Sequence, residues 1–374
     1  MKIEILKENL KSGLSVVERI IGRNISLPIL DNVLMDTEDS FLNLISTNLE
    51  TTIKIWILAK IVKKGKAVTP AKFLSNYVSL LPNEKITLEL KEQKLYVDSA
   101  NSKTQIQGYN PGEFPIIPKF LEEGFLEVDN RKFFEGFSQV VDIATQSQSR
   151  PEISGIYFYF SKNTIKIVAT DSFRLAEKNI ILEGSVKKEF SFILPQRPAK
   201  EIMNILSERE GVLKIYFSGN QVLFEFPMKE LKHPQVQIFS RLIEGEYPNY
   251  QDIVPNKFKA TAVVKREEFL GQVKTASLFS SKTSEVKVSL KPEKAELEVF
   301  AKSPDVGENI SNIPAKISGE AINISFNYRY LIDGLLKIKS SEVIFEISKE
   351  EGPCILRPVG DANYIYVVMP IKSI

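Results

Sequence analysis

Thr170, Asp171, Ser172 and Arg174 stand within five positions of one another, in the stretch Ile167-Val168-Ala169-Thr170-Asp171-Ser172-Phe173-Arg174-Leu175-Ala176. Hydroxyls and a carboxylate at this spacing hydrogen-bond their own backbone, so the chemistry they favour first is a turn between two strands. Asp171 has no carboxylate neighbour in sequence that would make a metal-binding pair. The acidic run Asp36-Thr37-Glu38-Asp39 could hold a cation, but it lies between two strand-like segments, where hairpin turns place such residues. The one histidine, His233, precedes Pro234 in a charged loop and reads as an ordinary surface side chain, which removes a Ser-His pair as a theme. The one cysteine, Cys354, excludes an internal disulfide and a cysteine-based zinc site. No phosphate-cradling Gly-x-x-x-x-Gly-Lys-Ser/Thr loop and no Gly-x-Ser-x-Gly elbow is present. A hydrolase or nuclease site assembled across the fold stays open as a reading from a different class. The expectation is a non-enzyme with no cofactor and no metal.

The elements that position these residues repeat three times. Leu10, Leu14 and Val17; Phe133, Phe137 and Val140; and Phe269, Val273 and Ala276 each follow the spacing i, i+4, i+7, one face of an amphipathic helix. Strand-like alternation precedes the first two sets, in Ile3-Glu4-Ile5 and Leu126-Glu127-Val128. A second helix recurs in each copy. Pro70-Ala71-Lys72 matches Pro198-Ala199-Lys200, and Asn327-Tyr328-Arg329-Tyr330-Leu331-Ile332 keeps the apolar spacing without the proline. Hairpins are expected at Ile86–Leu90 with Lys94–Val97, and at Val212–Phe217 with Gln221–Phe226 across Ser218-Gly219-Asn220. Gly112-Glu113-Phe114-Pro115 returns as Gly245-Glu246-Tyr247-Pro248, and Thr47-Asn48 anticipates Thr170-Asp171. The repeat implies three α+β units of about 125 residues, topologically similar, each with two helices backed by antiparallel sheet. The boundaries are placed at 1–119, 120–250 and 251–374. Three such units in a row suggest an arc, which closes into a ring or grows as a filament.

Composition narrows the partners. A chain of 374 residues with 43% hydrophobic and 26% charged residues has the balance of an ordinary globular protein, and its net charge is only +2. Any surface for a polyanion must therefore come from segregation of charge. The six helical segments, taken as 7–23, 70–81, 131–143, 195–209, 265–276 and 326–339, carry a net positive charge, and the remainder is net negative. The start has no long apolar run, and the most apolar segment, Ile53 to Val62, contains Lys54 and Lys60 and is too short to span a bilayer. No membrane partner is expected, and the cytoplasm is the expected location.

Three segments, in this order, give the chain a resemblance: Leu27-Pro28-Ile29-Leu30-Asp31-Asn32, the stretch around Thr170, and the apolar end Tyr366-Ile-Tyr-Val-Val-Met-Pro-Ile-Lys-Ser-Ile374. Together they resemble the bacterial DNA sliding clamp family, the β subunits of the replicative polymerase, and the likeness runs from the first residues to the last. The resemblance implies the DNA clamp fold and a head-to-tail homodimeric ring around duplex DNA, without sequence specificity and associated with the nucleoid. It implies a processivity factor that tethers the replicative polymerase catalytic subunit, is opened by a clamp loader, and serves other replication and repair proteins bearing short peptides rich in Gln, Leu and Phe. The family's peptide pocket carries over to Ile153, Thr170, Arg174, Leu175, Pro248 and Ile253, with Asn327, Tyr330, Pro353, Val367, Val368, Met369 and Pro370. Family positions at the subunit contact carry over to Lys103, Ile106, Leu278 and Phe279, and positions near DNA to Arg23, Arg150 and Arg197. Ser172 and Phe173 depart from the commoner Gly and His, and Asp252 stands where some members carry a basic residue. A left-handed backbone at Ser172 would be strained, so the turn is expected to differ locally. Arg174 is expected to be a partly exposed charge of modest weight. The runner-up within the same fold is an interaction scaffold that does not encircle DNA.

Overall fold

Every strand pairing among the described residues is antiparallel. The computed structural model describes residues 1–374 apart from 23–25, 83, 118–124, 146, 148, 185, 187, 232 and 373–374. Among the described residues are α1 (Lys7–Val17), α2 (Ala71–Leu80), α3 (Asn130–Val140), α4 (Gln196–Leu206), α5 (Arg266–Ser277) and α6 (Tyr328–Lys337), two for each sequence repeat. The apolar triads of α1, α3 and α5 are fully buried. Burial of each large side chain contributes roughly 1.5–3 kcal/mol, which is what holds these short helices on their sheets. The helices end earlier than the longest predicted segments. α1 tightens into the 3-10 turn Glu18–Ile20, whose Glu18 carbonyl accepts from the Ile21 N–H at 3.1 Å. Pro198 sits in the first turn of α4, where its missing N–H has no intrahelical partner to lose. No helix of the described residues is long and apolar enough to cross a membrane.

The strands form three sheets among the described residues. A five-stranded sheet runs Lys60–Lys63, Lys2–Leu6, Lys85–Lys91, Lys94–Ser99, Ser102–Gln107 in order of adjacency. An eight-stranded sheet begins Phe125–Asp129, Val212–Ser218, Gln221–Pro227, Pro234–Arg241 and continues Thr51–Leu58, Phe41–Thr47, Asn32–Glu38, Lys66–Pro70. A twelve-stranded sheet runs from Phe190–Pro195 through Gly155–Ser161, Thr164–Thr170, Arg174–Ile181, Tyr364–Val368, Cys354–Pro358 and Glu342–Ile347 to Ala260–Lys265, Gly307–Gly319 and the three strands beyond. The predicted hairpins form, with Leu88 opposite Val97 and Phe217 opposite Val222.

The two larger sheets cross the sequence repeats. Pro234–Arg241 of the second repeat pairs with Thr51–Leu58 of the first, and Tyr364–Val368 of the third pairs with Arg174–Ile181 of the second. The chain accordingly gathers into two compact units, Met1–Lys132 with Arg197–Leu242 and Phe133–Gln196 with Ile243–Ile374. Each unit is built around one such junction, because an edge strand leaves a row of unpaired N–H and C=O groups that the next repeat satisfies. A helix contact accompanies each junction. Arg19, just beyond α1, lies 4.0 Å from Glu201 of α4. In the second unit Lys337 of α6 donates to the Ser138 carbonyl of α3 at 2.9 Å and pairs with Asp142 at 2.6 Å.

The acidic run forms a hairpin, with Glu38 opposite Phe41 and Asp39 at φ 48°. Its carboxylates are engaged: Asp36 lies 2.9 Å from Lys66 and Glu38 accepts from Trp56 Nε1 at 2.8 Å. His233 is not a free surface residue. Its ring stacks on Phe41 at 4.9 Å between centroids and meets the edge of Trp56 at 5.4 Å, because the loop that carries it folds over the neighbouring repeat.

Candidate functional site

Thr170 ends one strand and Arg174 begins the next, and the residues between them form a fully bonded turn. Thr170 Oγ1 donates to the Arg174 carbonyl at 2.8 Å and accepts from the Ser172 N–H at 3.1 Å. Asp171 Oδ1 accepts from the Phe173 and Arg174 N–H groups at 3.0 and 2.9 Å. These bonds hold Ser172 at φ 75°, so the left-handed turn is kept without the glycine, against expectation. Phe173 is left exposed at the tip, its ring 6.2 Å from that of Tyr330.

Arg174 lies deeper than its sequence suggested. Its side chain is only 11% exposed. Nε donates to Asp171 Oδ2 at 2.9 Å, a terminal nitrogen pairs with Asp333 of α6, and the guanidinium lies 4.8 Å from the centre of the Tyr330 ring. Burial works against its charge, but Tyr366, Asp333 and Asp171 more than offset this and hold its pKa above the ordinary arginine value. Gly334 lets α6 approach closely: a Cβ there would meet the Tyr366 ring at 2.5 Å. Tyr366 in turn donates its hydroxyl to the Tyr330 carbonyl at 2.8 Å. Asp333 and Gly334 carried no signal in the sequence, since their role depends on how α6 sits over a strand from another repeat.

The chain's end is tied to the same turn. Arg174 stands opposite Val368 and Leu175 opposite Val367. Beyond the strand, the Met369 N–H donates to the Phe173 carbonyl and the Ile371 N–H to the Ser325 carbonyl, both at 2.8 Å. Leu175 and Val367 are fully buried in a cluster with Val168, Tyr250 and Ile355. Val368 is equally buried and Thr170 nearly so, while Tyr330, Met369 and Pro370 are half-buried. Pro248 and Ile253 are exposed on either side of Tyr250. Asn327 caps α6, accepting from the Arg329 N–H at 3.0 Å, and the Pro353 carbonyl accepts from Ser348 Oγ at 2.7 Å. Ile153 is buried in the 3-10 turn Pro151–Ile153. Cys354 is buried, which raises its thiol pKa and disfavours the nucleophilic form. Among the described residues no group of three or more His, Cys, Asp or Glu side chains is placed to hold a metal.

Lys103 is exposed and Ile106 buried on the strand Ser102–Gln107, the last of the five-stranded sheet. Leu278 is 72% exposed just past α5, with Phe279 half-buried beside it. Arg150 and Arg197 are exposed. Arg23 lies outside the described residues.

Comparison with known proteins decides the family. Descriptions of the DNA polymerase III β subunit match the chain end to end: its N-terminal domain over residues 1–118, its central domain over 127–249 and its C-terminal domain over 251–372. The chain belongs to the β sliding clamp family. The β sliding clamp of Synechococcus elongatus is 27% identical over 379 residues, covering 100% of this chain and 99% of that one. The clamp of Bacillus subtilis is 25% identical over 385 residues, covering 100% of both. Among solved structures, the Thermotoga maritima β subunit superposes over 100% of both chains with a TM-score of 0.91 at 26% identity. A Pseudomonas aeruginosa clamp reaches 0.93 at 22% identity, a likeness of fold. As a sliding clamp, the protein serves DNA replication as a processivity factor for DNA polymerase and is itself non-catalytic.

Proposed function

We propose that this sliding clamp closes head to tail with a second copy into a ring around duplex DNA, and docks its partners' peptides over the Thr170–Arg174 turn. One observation carries the ring: the rule obeyed at both internal junctions leaves complementary surfaces at the two ends. At each junction, the last strand of one repeat's second hairpin series pairs with the preceding repeat's strand. The second helix of the later repeat also meets the first helix of the earlier one. Among the described residues, Ser102–Gln107 and α2 of the first repeat, and the front half of Gly307–Gly319 and α5 of the third, meet no other repeat in this way. Exposed apolar side chains mark both: Phe73 and Leu80 on α2, and Leu278 and Ile310 at the other end. A heterologous contact of this kind forms a ring when its rotation closes.

Within that reading the repeats divide at 1–119, 120–250 and 251–374. The DNA is gripped through phosphates, by Arg150, Arg197 and Arg23 and by the cationic helices. The replicative polymerase catalytic subunit, the clamp loader and other short-peptide-bearing proteins share the pocket, in the cytoplasm at the nucleoid. The subunit contact is tested by sedimentation of wild type and Leu278→Glu, an exposed position where folding is unaffected. Wild type is expected near twice 42.4 kDa and the variant near 42.4 kDa. The pocket is tested on the same samples by anisotropy with a Gln-Leu-Phe peptide, adding a chain that lacks residues 369–374. The truncated chain is expected to stay dimeric and lose the peptide. A monomeric wild type overturns the ring, and unchanged peptide affinity in the truncated chain overturns the pocket.

A further inference from the structure

The turn at the candidate site has a twin in the first unit. Thr47 Oγ1 donates to the Thr51 carbonyl at 3.2 Å and accepts from the Leu49 N–H at 3.1 Å. Asn48 Oδ1 accepts from the N–H groups of Glu50 and Thr51 at 3.1 and 2.7 Å. Leu49 sits at φ 73°, beside 75° for Ser172. The Arg241 N–H donates to the Glu50 carbonyl at 2.9 Å, as Met369 does to Phe173 at 2.8 Å. Thr52 stands opposite Phe239 where Leu175 stands opposite Val367. The repeated Gly-Glu-Phe/Tyr-Pro motif places Pro115 here as it places Pro248 there.

The twin is an open cavity of about 270 Å³, whose lining includes Leu49, Thr52, Pro115, Ile116, Phe239 and Arg241. That is at or below the small end of ligand pockets, room for one or two side chains. Its chemistry differs from the site above at the decisive positions: Arg241 replaces Met369, and Thr52 replaces Leu175. Leu49 and Ile116 are exposed apolar side chains, Ile116 at 95%. Arg241 is exposed, and no described residue pairs with its guanidinium. A guanidinium that no described residue pairs, beside a small apolar wall, suits a carboxylate adjoining an aliphatic side chain, since a carboxylate takes two parallel N–H bonds from arginine. Glu50 on the same rim disfavours a second acid, so one carboxylate is the match.

We propose that this cavity is a second peptide dock, which takes a partner's free C-terminus: a terminal carboxylate on an aliphatic residue. The proposal rests on reading the Thr170–Arg174 turn as a peptide dock, whose geometry it copies. The test is anisotropy with fluorescein-labelled Gly-Ser-Gly-Leu-Leu, as free acid and as C-terminal amide, on wild type, Arg241→Gln, Ile116→Ser and the chain lacking residues 369–374. Both substituted side chains are exposed, so the fold is kept. The free acid is expected to bind wild type and the truncated chain equally. Amidation or Arg241→Gln should weaken it about tenfold, the weight of a charge-assisted bond, and Ile116→Ser should weaken it less. A Gln-Leu-Phe peptide should be indifferent to Arg241→Gln and lost on truncation. No binding of the free acid, or binding unchanged by Arg241→Gln, overturns the second dock whatever the first does. Failure of the Gln-Leu-Phe peptide on wild type overturns the first, and Arg241-dependent binding of the free acid then still upholds the second.

Discussion

Ser172 holds a left-handed backbone that costs a non-glycine residue roughly 1–2 kcal/mol. The bonds from Thr170 and Asp171 impose it, and a polar side chain is not what makes it possible, since Leu49 adopts the same conformation in the twin turn. Ser172→Gly should therefore raise stability by about 1 kcal/mol, the relieved strain less the greater chain entropy of unfolded glycine. Urea unfolding checks this, and an unchanged or lowered midpoint would show the turn to be unstrained. Arg174 is a second case where position outweighs residue type. With side-chain exposures of 11% and 7%, Arg174 and Asp171 form a largely covered pair, and Arg174→Ala leaves the carboxylate with only its two backbone N–H donors. The expected loss is about 1–3 kcal/mol of folding stability by the same unfolding assay, above that of a surface ion pair. Arg174→Ala in an Asp171→Asn background should lose less, since no charge is then left unpaired.

The pairing of Arg174–Ile181 with Tyr364–Val368 is fastened at its far end by Asp361. Its carboxylate lies 2.7 Å from Lys178 Nζ and accepts from the Asn363 N–H at 2.8 Å. Burial pushes its pKa up, but Lys178 and the Asn363 N–H more than offset this and hold it below the ordinary 3.8. A carboxylate depressed in the folded state stabilises above its unfolded pKa and loses that contribution as pH falls through the folded value. The stability difference between wild type and Asp361→Asn should be constant from about pH 5 to 7 and shrink below about pH 4. Denaturant titrations across that range measure it, and a difference that persists into acid would mean that Asp361 is not depressed. The elements themselves were legible in the sequence, because helix faces such as Phe133, Phe137 and Val140 are set by local period. The junctions were not. Nothing in Lys178 announces Asp361, and nothing in Arg174 announces Asp333, because both pairs form only when a strand of one repeat meets an element of the next. The same limit hid the stacking of His233 on Phe41. The turn from Thr170 to Arg174 was legible through its hydroxyl and carboxylate spacing, but which neighbours are buried beneath it, such as Leu175 and Val367, depends on the strand that pairs with it from the next repeat.

At the scale of the whole molecule the question is what holds the protein on DNA. With a net charge of only +2, direct affinity for phosphates should be weak and should fall steeply with salt. A closed ring is insensitive to this: it is threaded, and it leaves only through an end or an opening. Retention after loading on nicked circular plasmid should therefore survive raised salt, and linearising the plasmid should release the protein at the same salt. Leu278→Glu supplies the control: with the proposed subunit contact broken, the chain has only its phosphate contacts and should leave both forms alike. Gel filtration of loaded complexes, before and after a restriction cut, measures each case. Equal loss from circular and linear DNA by the wild type would show a phosphate grip and no topological link. That outcome would favour the scaffold of the same fold, in which the peptide docks operate without encirclement. Retention on both forms at high salt would contradict ring and scaffold together, because neither a sliding ring nor a chain of this charge resists salt on an open end.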